Sequence, residues 1–349
     1  MKNVLITGGA GFIGSEIVKQ LNKTGKWNIT VLDSMTEQIH GKGWKNSYLY
    51  KQIDGKCHFV KGSVTDINFI LPLVKESEYI IHLAAETGTG QSMYQINQYN
   101  ETNVMGTVNI CECVRLHSCV KSFLNVTTDK VYENKEWEWG YRENEPLDGY
   151  DPYSNSKSCS ELVTHSYINS FYKDMDVAVS TARAGNVIGG GDFANDRIIP
   201  DCVRAASKKE DIIVRNPHST RPYQHVLEPL AIYLTIAKMQ YEDKKYAGFY
   251  NVGPDDKDCV TTGTLVDLFC EKWGENIKWV NQYDGGPHEA NFLKLDCSKI
   301  KRVFGWTPTW GIEQAVEKTV EWSKKYLAKE DVCVCMDKQI EEFFTKEII

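Results

Sequence analysis

Short apolar runs alternate with stretches of helical periodicity through the first half of the chain. The apolar, β-branched runs predict strands at 2–7, 27–32, 57–60, 79–83, 122–126 and 176–183. Between them, apolar residues spaced three or four positions apart predict helices, most clearly at 16–21 and 97–116. Because strands and helices alternate so regularly, we expect an α/β fold with a doubly wound parallel sheet.

The pattern changes at about residue 192, where the segments become shorter and mixed. We expect this C-terminal half to form a smaller mixed lobe, with a terminal helix over 332–349. The sequence contains no internal repeat and no flexible linker between the two halves.

Composition narrows the class of protein. Of the 349 residues 42% are apolar, enough for a substantial core, and a net charge of −7 argues against nucleic acid or a membrane surface as partner. No apolar run approaches the ~20 residues that cross a bilayer, and the N-terminus lacks the order of a signal peptide. The 11 cysteines are scattered, without the spacing of a metal site. We therefore expect a cytoplasmic protein with reduced thiols and no metal.

A glycine-rich turn follows the first predicted strand. Gly8, Gly11 and Gly14 have the spacing that permits a tight turn, close approach of a pyrophosphate, and packing of the next helix on the strand. The pyrophosphate would lie at the helix N-terminus, where free N–H groups favour anions. Asp33 ends the second strand, where a carboxylate would hold the adenosine ribose and disfavour a 2′-phosphate. These features predict a Rossmann-type domain that binds NAD in preference to NADP.

Further cofactor contacts are expected along the edge where the parallel strands end. Small residues after the fourth strand permit close approach of a ligand, whereas Asn103 could equally tie down a nearby loop. The additional cofactor-binding candidates are Phe12, Ile13, Ser63, Val64, Leu83, Ala84, Ala85 and Asn103. We expect residues 1–185 to form the NAD-binding domain, which carries the catalytic residues, and residues 186–349 to form mainly the substrate lobe, with some segments returning to the first domain.

The stretch from residue 126 to residue 157 gathers groups suited to proton transfer. A buried strand is expected to deliver Thr128, Asp129 and Lys130 at its end. Tyr153 and Lys157 are four residues apart, so they share one face of the helix expected there. A nearby ammonium favours the phenolate, so Lys157 is expected to lower the pKa of Tyr153. These five groups form a candidate acid–base site.

Several motifs resemble the extended short-chain dehydrogenase/reductase family, in the correct order and over nearly the whole chain. They are TGGAGFIG at 7–14, HLAAE at 82–86, TNVMGT at 102–107, TTDKVY at 127–132 and YSNSK at 153–157. Within that family, the stretches TTDKVYENKEWEWGYRENEPLDGYDPYSNSK and RAGNVIGGGDFANDRIIPD resemble the CDP-glucose 4,6-dehydratase group, in which the acid and base positions read Asp-Lys.

The resemblance implies transient oxidation of the sugar at C4 by bound NAD, loss of water across C5 and C6, and return of hydride to C6. Tyr153, as phenolate, would remove the proton of the 4-hydroxyl, Lys157 would hold the nicotinamide ribose, and Thr128 would bond the 4-oxygen. By position, Lys130 is the candidate base at C5, and Asp129 is the candidate acid that protonates the departing 6-hydroxyl. The product would be a 4-keto-6-deoxy sugar.

The resemblance also implies substrate contacts and a protein partner. Arg221 matches the arginine that grips the nucleotide diphosphate in relatives, and Arg215 and His225 are further basic groups of the same lobe. The substrate-binding candidates are Glu86, Thr87, Gln91, Ser92, Asn186, Arg197, Arg221 and His288. The helices around 97–116 and 154–173 correspond to the pair that forms a dimeric four-helix bundle, so a homodimer is implied.

One segment departs from the CDP-glucose dehydratase pattern. Residues 86–96, ETGTGQSMYQI, would line the sugar pocket and are more similar to certain nucleotide-sugar epimerases. Two alternatives therefore stay open, a 4,6-dehydratase acting on another nucleotide sugar and an NAD-dependent 4-epimerase, which needs Tyr153 and Lys157 but no Asp-Lys pair. A non-catalytic, NAD-sensing scaffold is a third alternative, although it has no need of a Tyr-Lys pair.

Overall fold

A computed structural model of the chain describes residues 1–282 and 290–344. Its centre is a seven-stranded parallel sheet with the strand order β11-β6-β5-β4-β1-β2-β3. The sheet strands are β1 (Lys2–Thr7), β2 (Trp27–Asp33), β3 (His58–Lys61), β4 (Tyr79–His82), β5 (Ser122–Thr128), β6 (Ala178–Ala184) and β11 (Phe249–Val252). The six strands predicted from the sequence are all present, and the predicted doubly wound α/β fold is confirmed.

The described part of the chain contains fourteen α-helices. In chain order they are α1 (Phe12–Thr24), α2 (Glu37–His40), α3 (Tyr48–Ile53), α4 (Ile67–Lys75), α5 (Thr89–Ser92), α6 (Ile96–Tyr99), α7 (Gly106–Leu116), α8 (Pro152–Ser170), α9 (Ile198–Lys208), α10 (Leu227–Glu242), α11 (Thr262–Trp273), α12 (Ser298–Phe304), α13 (Ile312–Leu327) and α14 (Val332–Phe343). Of the terminal helix predicted over 332–349, α14 is the observed part, and residues 345–349 lie outside the described residues.

The sheet is buried on both faces, because alternate side chains of its strands enter two different cores. Val4 and Ile6 of β1 share one core with apolar residues of α1 and α10. Leu5, between them, enters a second core that contains residues of α4 and α7. Burial on both faces explains why these strands read as continuous apolar runs.

The helix predicted over 97–116 is interrupted by a wider turn. A π-helical segment, Asn100–Met105, joins α6 to α7. Asn103 lies within it, and its amide group bonds the backbone N–H and carbonyl of Glu86, at 2.8 and 3.0 Å. The wider turn therefore holds the start of the segment that follows β4.

The C-terminal half forms a mixed lobe around a third core. Its short strands pair as β7 (Val187–Ile188) with β10 (Gln224–His225), β8 (Ile212–Val214) with β13 (Trp279–Asn281), and β9 (Thr220–Arg221) with β12 (Val260–Thr261). Strand β11 and helix α10 return to the central sheet. No helix among the described residues is long and apolar enough to cross a bilayer. The eleven cysteines, all within the described residues, form no disulfide.

Candidate active site

A cleft of about 2050 Å³ lies at the carboxyl ends of the sheet strands and extends against the C-terminal lobe. The predicted site residues that line it are Gly8, Gly11, Phe12, Ile13, Gly14, Asp33, Ser63, Val64, Leu83, Ala84, Ala85, Glu86, Thr87, Gln91, Thr128, Lys130, Tyr153, Lys157, Asn186, Arg197 and Arg221. Ser92, Asn103 and Asp129 are buried and do not line the cleft. His288 lies outside the described residues.

The glycine turn after β1 packs its backbone closely against the backbone that follows β4. Gly8 has a φ of +70°, and a Cβ there would lie 2.7 Å from the amide nitrogen of Ala84. A Cβ on Gly14 would overlap the carbonyl oxygen of Gly8, so α1 packs directly on the turn. Because α1 begins at Phe12 beside the cleft, the N–H groups of its first turn are available to an anion. This cradle fits a pyrophosphate.

Asp33 joins the glycine turn to the cleft wall. Its Oδ2 accepts a hydrogen bond from the N–H of Ala10 at 3.0 Å, and its Oδ1 accepts one from the N–H of Met35 at 2.9 Å. Burial raises the pKa of Asp33 and lowers that of His40, whose Nε2 lies 4.0 Å from Oδ1. Sequence reasoning did not find His40, which lies at the end of the short helix α2 and reaches Asp33 from there.

The end of β5 gathers the first three acid–base groups. Strand β5 runs to Thr128, two residues further than predicted, and a single helical turn carries Asp129 and Lys130. Asp129 is fully buried, and its Oδ1 accepts hydrogen bonds from the Thr128 hydroxyl and from Lys130 Nζ, both at 2.9 Å. Lys130 also donates to Asn186 Oδ1 at 3.2 Å, which links this turn to the second lobe.

Helix α8 carries the other two groups. Asp151 caps it by accepting the N–H of Ser154 at 3.0 Å, which sets the first helical turn at Tyr153. Lys157 lies one turn further, and its Nζ donates to the carbonyl oxygen of Val126 in β5 at 2.9 Å. Burial lowers the pKa of Lys157 to about 8. The structure thus brings the Tyr–Lys pair and the end of β5 to one cleft.

The expected lowering of the pKa of Tyr153 is wrong for this structure. Burial raises that pKa to about 12, although the Arg197 guanidinium and the Thr128 hydroxyl oppose the shift. The largest opposing charge belongs to Arg197, because the Lys157 ammonium is directed to the Val126 carbonyl. A further positive charge near the phenol is therefore needed before Tyr153 ionises near neutral pH.

The segment over 86–96 forms one wall of the cleft. Glu86 accepts a hydrogen bond from Gln98 at 3.0 Å, and the hydroxyl of Thr87 accepts one from Arg197 at 3.3 Å. Ser92 instead bonds the carbonyl of Thr89 at 2.7 Å within α5 and stays buried. The amide group of Asn103 forms hydrogen bonds with the Glu86 backbone and with the Ser156 hydroxyl (2.9 Å), so Asn103 positions this wall from behind.

The basic groups of the second lobe differ in location, because the arginines line the cleft whereas His225 is buried. Arg221 lines the cleft and donates to the carbonyls of Thr220, at 2.9 Å, and Ala290. Arg215 lines the same wall. His225, expected among the basic groups of this lobe, is fully buried beside Trp310, and burial lowers its pKa to about 3. It therefore carries no charge toward a diphosphate.

A buried ion pair supports the catalytic helix from behind. Glu161, one turn after Lys157, bonds Arg183 through both carboxylate oxygens at 3.0 Å, and both residues are fully buried. Thr127 and Thr181 donate to the same carboxylate at 2.5 and 2.8 Å. Burial alone would raise the pKa of Glu161, but Arg183 and these hydrogen bonds outweigh it and lower the pKa to about 2.

One cleft combines a glycine turn at a helix N-terminus, a carboxylate at the end of β2 and a Tyr–Lys pair. This combination defines a nucleotide-cofactor-dependent enzyme of Rossmann fold. The family model described as GDP-mannose 4,6 dehydratase matches residues 5–319. The chain belongs to this family, and its predicted membership of the extended short-chain dehydrogenase/reductases is confirmed.

Individual relatives cover nearly the whole chain. The chain is 38% identical to a CDP-glucose 4,6-dehydratase of Salmonella typhimurium, over 99% of this chain and 96% of that protein. Among solved structures, the dTDP-glucose 4,6-dehydratase of Bacillus anthracis in complex with NAD has a TM-score of 0.76 and 25% identity, covering 95% of this chain and 100% of that one. The UDP-glucuronic acid 4-epimerase of Bacillus cereus has a TM-score of 0.81 at 18% identity, covering 93% and 99%, and so shares the fold.

Proposed function

We propose that this protein is an NAD-dependent 4,6-dehydratase that converts CDP-glucose to CDP-4-keto-6-deoxyglucose. The observation that carries the proposal is the convergence of the Thr128–Asp129–Lys130 turn with Tyr153 and Lys157 at one cleft. Identity of 38% over nearly the full length to the Salmonella CDP-glucose 4,6-dehydratase supports the choice of nucleotide and sugar.

The residues at the cleft fit NAD. The glycine turn and the start of α1 would take the pyrophosphate, Asp33 the adenosine ribose, and Ser63 with Val64 the adenine. When bound, NAD would supply oxidation at C4 and return the hydride at C6. We also propose that residues 1–185 form the cofactor domain and residues 186–349 mainly the substrate lobe, because Asn186, Arg197 and Arg221 all come from the second part.

Tyr153 serves as the base for the 4-hydroxyl of the sugar. Its pKa of about 12 already includes the opposing effects of Arg197 and Thr128, so the further fall that this role requires would need another positive charge in the cleft, which oxidised nicotinamide would supply when bound. Lys157 adds a positive charge whose position is set by the Val126 carbonyl. The Thr128 hydroxyl, at the end of β5, is placed to bond the 4-oxygen as its proton leaves.

Asp129 and Lys130 serve the removal of water. They face each other as carboxylate and ammonium at 2.9 Å, so transfer of one proton creates a neutral amine and a carboxylic acid together. The amine of Lys130 then takes the C5 proton, Asp129 protonates the departing 6-hydroxyl, and the C5–C6 double bond forms as water leaves. The step regenerates the original ion pair.

Mass spectrometry of nucleotide sugars tests this function. The protein and NAD are incubated with CDP-glucose and, in parallel, with dTDP-, UDP- and GDP-sugars. A product lighter by one water from CDP-glucose alone is expected. Loss of water only from another nucleotide sugar would keep the chemistry and reject the proposed substrate.

A 4-epimerase is the second candidate, favoured by the departure of residues 86–96 from the CDP-glucose dehydratase pattern. An epimerase would leave the substrate mass unchanged and form a new isomer, which chromatography separates. The Asp129–Lys130 pair favours dehydration, because interconversion at C4 alone needs no acid for a leaving hydroxyl.

We also infer a homodimer through α7 and α8. These helices pack against each other and expose large apolar side chains at Leu116 and Leu162 and, next to their ends, at Met105 and Phe171, between 44% and 51% exposed. Light scattering should give twice the chain mass, and Leu162→Glu should give a monomer. Val334→Glu is the matched control, because Val334 is 49% exposed but lies on α14. A monomeric wild-type protein would contradict the inference.

A further inference from the structure

A buried histidine lies beside the carboxylate that is proposed to hold the adenosine ribose of NAD. The side chain of His40 is 1% exposed, and its Nε2 lies 4.0 Å from Oδ1 of Asp33. Asp33 lines the cleft, whereas His40 does not. An apolar side chain would occupy the same place without the cost of burying two ring nitrogens, so the presence of a histidine calls for an explanation.

The neighbours of His40 indicate which ring nitrogen carries the proton. Its Nδ1 lies 3.4 Å from the hydroxyl oxygen of Ser47. That oxygen accepts the N–H of Tyr50 at 3.3 Å as the N-cap of α3, so the hydroxyl proton of Ser47 remains to be donated, and Nδ1 of His40 lies within its reach. The neutral imidazole then carries its own proton on Nε2, the nitrogen that faces Asp33.

The carboxylate of Asp33 is held by backbone donors on both oxygens. Oδ2 accepts the N–H of Ala10, and Oδ1 accepts the N–H of Met35. To bind a ribose diol, Asp33 must stay ionised in one rotamer, although burial opposes its charge and raises its pKa. The Nε2–H group of His40 serves both needs, because it stabilises the charge from outside the cleft and leaves the cleft side of the carboxylate to the ribose.

We propose that His40 is a positioning residue for NAD, which orients the Asp33 carboxylate toward the adenosine ribose and so strengthens the preference for NAD over NADP. The inference rests on the proposed contact between Asp33 and that ribose. The ribose hydroxyls of NAD donate to a carboxylate, whereas the 2′-phosphate of NADP is an anion that the carboxylate repels. Holding Asp33 in place therefore favours NAD and gives no advantage to NADP.

Calorimetric titration of the whole protein with NAD and NADP tests this role. His40→Leu should raise the Kd of NAD about tenfold, the effect of one weak hydrogen bond to a charged group, and leave the Kd of NADP within about twofold. His40→Gln should restore most of the NAD affinity, because the glutamine amide nitrogen reaches the position of Nε2. His58→Leu is the matched control, because His58 is exposed on the neighbouring strand β3 and lies outside the cleft lining.

Nuclear magnetic resonance of the protein without cofactor tests the geometry directly. In protein labelled with ¹⁵N at pH 8, the ring nitrogens of His40 are assigned by their absence in His40→Gln. Their chemical shifts should show a neutral imidazole with its proton on Nε2. In Asp33→Asn the shift of Nε2 should change, because the neighbouring oxygen then belongs to an uncharged amide.

The outcomes separate this inference from the proposed dehydratase function. Equal loss of NAD and NADP affinity in His40→Leu would show a general structural role and overturn the inference. Unchanged NAD affinity in His40→Leu, or a proton on Nδ1 in place of Nε2, would also overturn it. If Asp33→Asn binds NAD as tightly as wild type, the ribose contact fails and the inference with it, whereas product mass decides the dehydratase function independently.

Discussion

The ammonium of Lys157 donates a hydrogen bond to the carbonyl oxygen of Val126, with 2.9 Å between Nζ and O. This bond connects α8 to the end of β5. It therefore fixes the position of Tyr153 on the helix relative to Thr128 on the strand. Lys157 is buried, and burial lowers the pKa of its side chain to about 8, although the Glu161 carboxylate opposes the shift.

Stability should depend on pH through Lys157. Its pKa in the folded protein, about 8, lies below the ordinary 10.5, so between these values the unfolded chain binds more protons. The free energy of unfolding should therefore rise between pH 8 and pH 10, by on the order of 2 kcal/mol from this group. Lys157→Met should lack that rise, and Lys75→Met, at an exposed position of α4, should keep it. Urea unfolding at the two pH values measures the difference.

Tyr153→Phe should abolish C4 oxidation while NAD still binds. Loss of a general base typically costs about 10²- to 10⁴-fold in rate, whereas the ring and its T-shaped contact with Tyr99 remain. Stopped-flow absorbance reports the oxidation, and equilibrium titration reports NAD affinity. Tyr99→Phe is the control, because that hydroxyl bonds the carbonyls of Thr87 and Gly88 and should affect mainly KM. Full activity of Tyr153→Phe would exclude the phenolate role.

The double variant Asp129→Asn with Lys130→Ala should oxidise substrate at C4 but fail to release water. Changing both residues removes the ion pair without leaving a buried charge, whereas Lys130→Ala alone would leave the fully buried Asp129 carboxylate without its cation, at a cost of about 3–5 kcal/mol. Mass spectrometry should find no product lighter by one water, while the reduced-cofactor absorbance appears. Normal dehydration by the double variant would rule out the acid–base pair.

Local spacing explains why much of the site was predictable. The spacing of Gly8 and Gly14 needs only one strand and one helix, and the four-residue spacing of Tyr153 and Lys157 needs only one helix. Each of these two arrangements depends on a few consecutive residues, so contacts with distant segments do not change it. The strands were predictable for a similar reason, because a parallel sheet buried on both faces requires continuous apolar runs.

Contacts between distant segments were not predictable in the same way. Glu161 shares the helix face of Lys157, which was a local signal, but its partner Arg183 comes from the next strand. The predicted direction of the Tyr153 pKa shift was wrong, because the sequence spacing shows that Lys157 is a neighbour of Tyr153. It shows neither that the Tyr153 phenol is buried nor that Arg197 lies near it.

Gly14→Ala should destabilise the protein and abolish NAD binding together. The added Cβ would overlap the carbonyl oxygen of Gly8, so α1 must move away from the turn that cradles the pyrophosphate. We expect a loss of roughly 1–3 kcal/mol in the free energy of unfolding, as for overpacking elsewhere. Gly43→Ala is the control, since its nearest contact would be 3.8 Å away, at Asn46. Calorimetric titration with NAD and urea unfolding measure both effects.

Glu161→Gln should be among the most destabilising single changes near the site. It leaves the fully buried Arg183 without its carboxylate partner, at an expected cost of about 3–5 kcal/mol. Glu112→Gln is the matched control, because Glu112 pairs with Arg115 at 2.6 Å on the surface of α7, where such pairs contribute about 0–1 kcal/mol. Urea unfolding at neutral pH should separate the two variants clearly.

The same pair predicts a pH dependence with a defined sign. The pKa of Glu161 is lowered from 4.5 to about 2, so its stabilisation is fully present above pH 4.5 and is lost as pH falls through 2. The stability difference between wild type and Glu161→Gln should therefore shrink as pH falls from 4.5 toward 2, while the Glu112→Gln difference stays small throughout. A constant difference across that range would show that Glu161 stabilises through hydrogen bonding and packing and not through its charge.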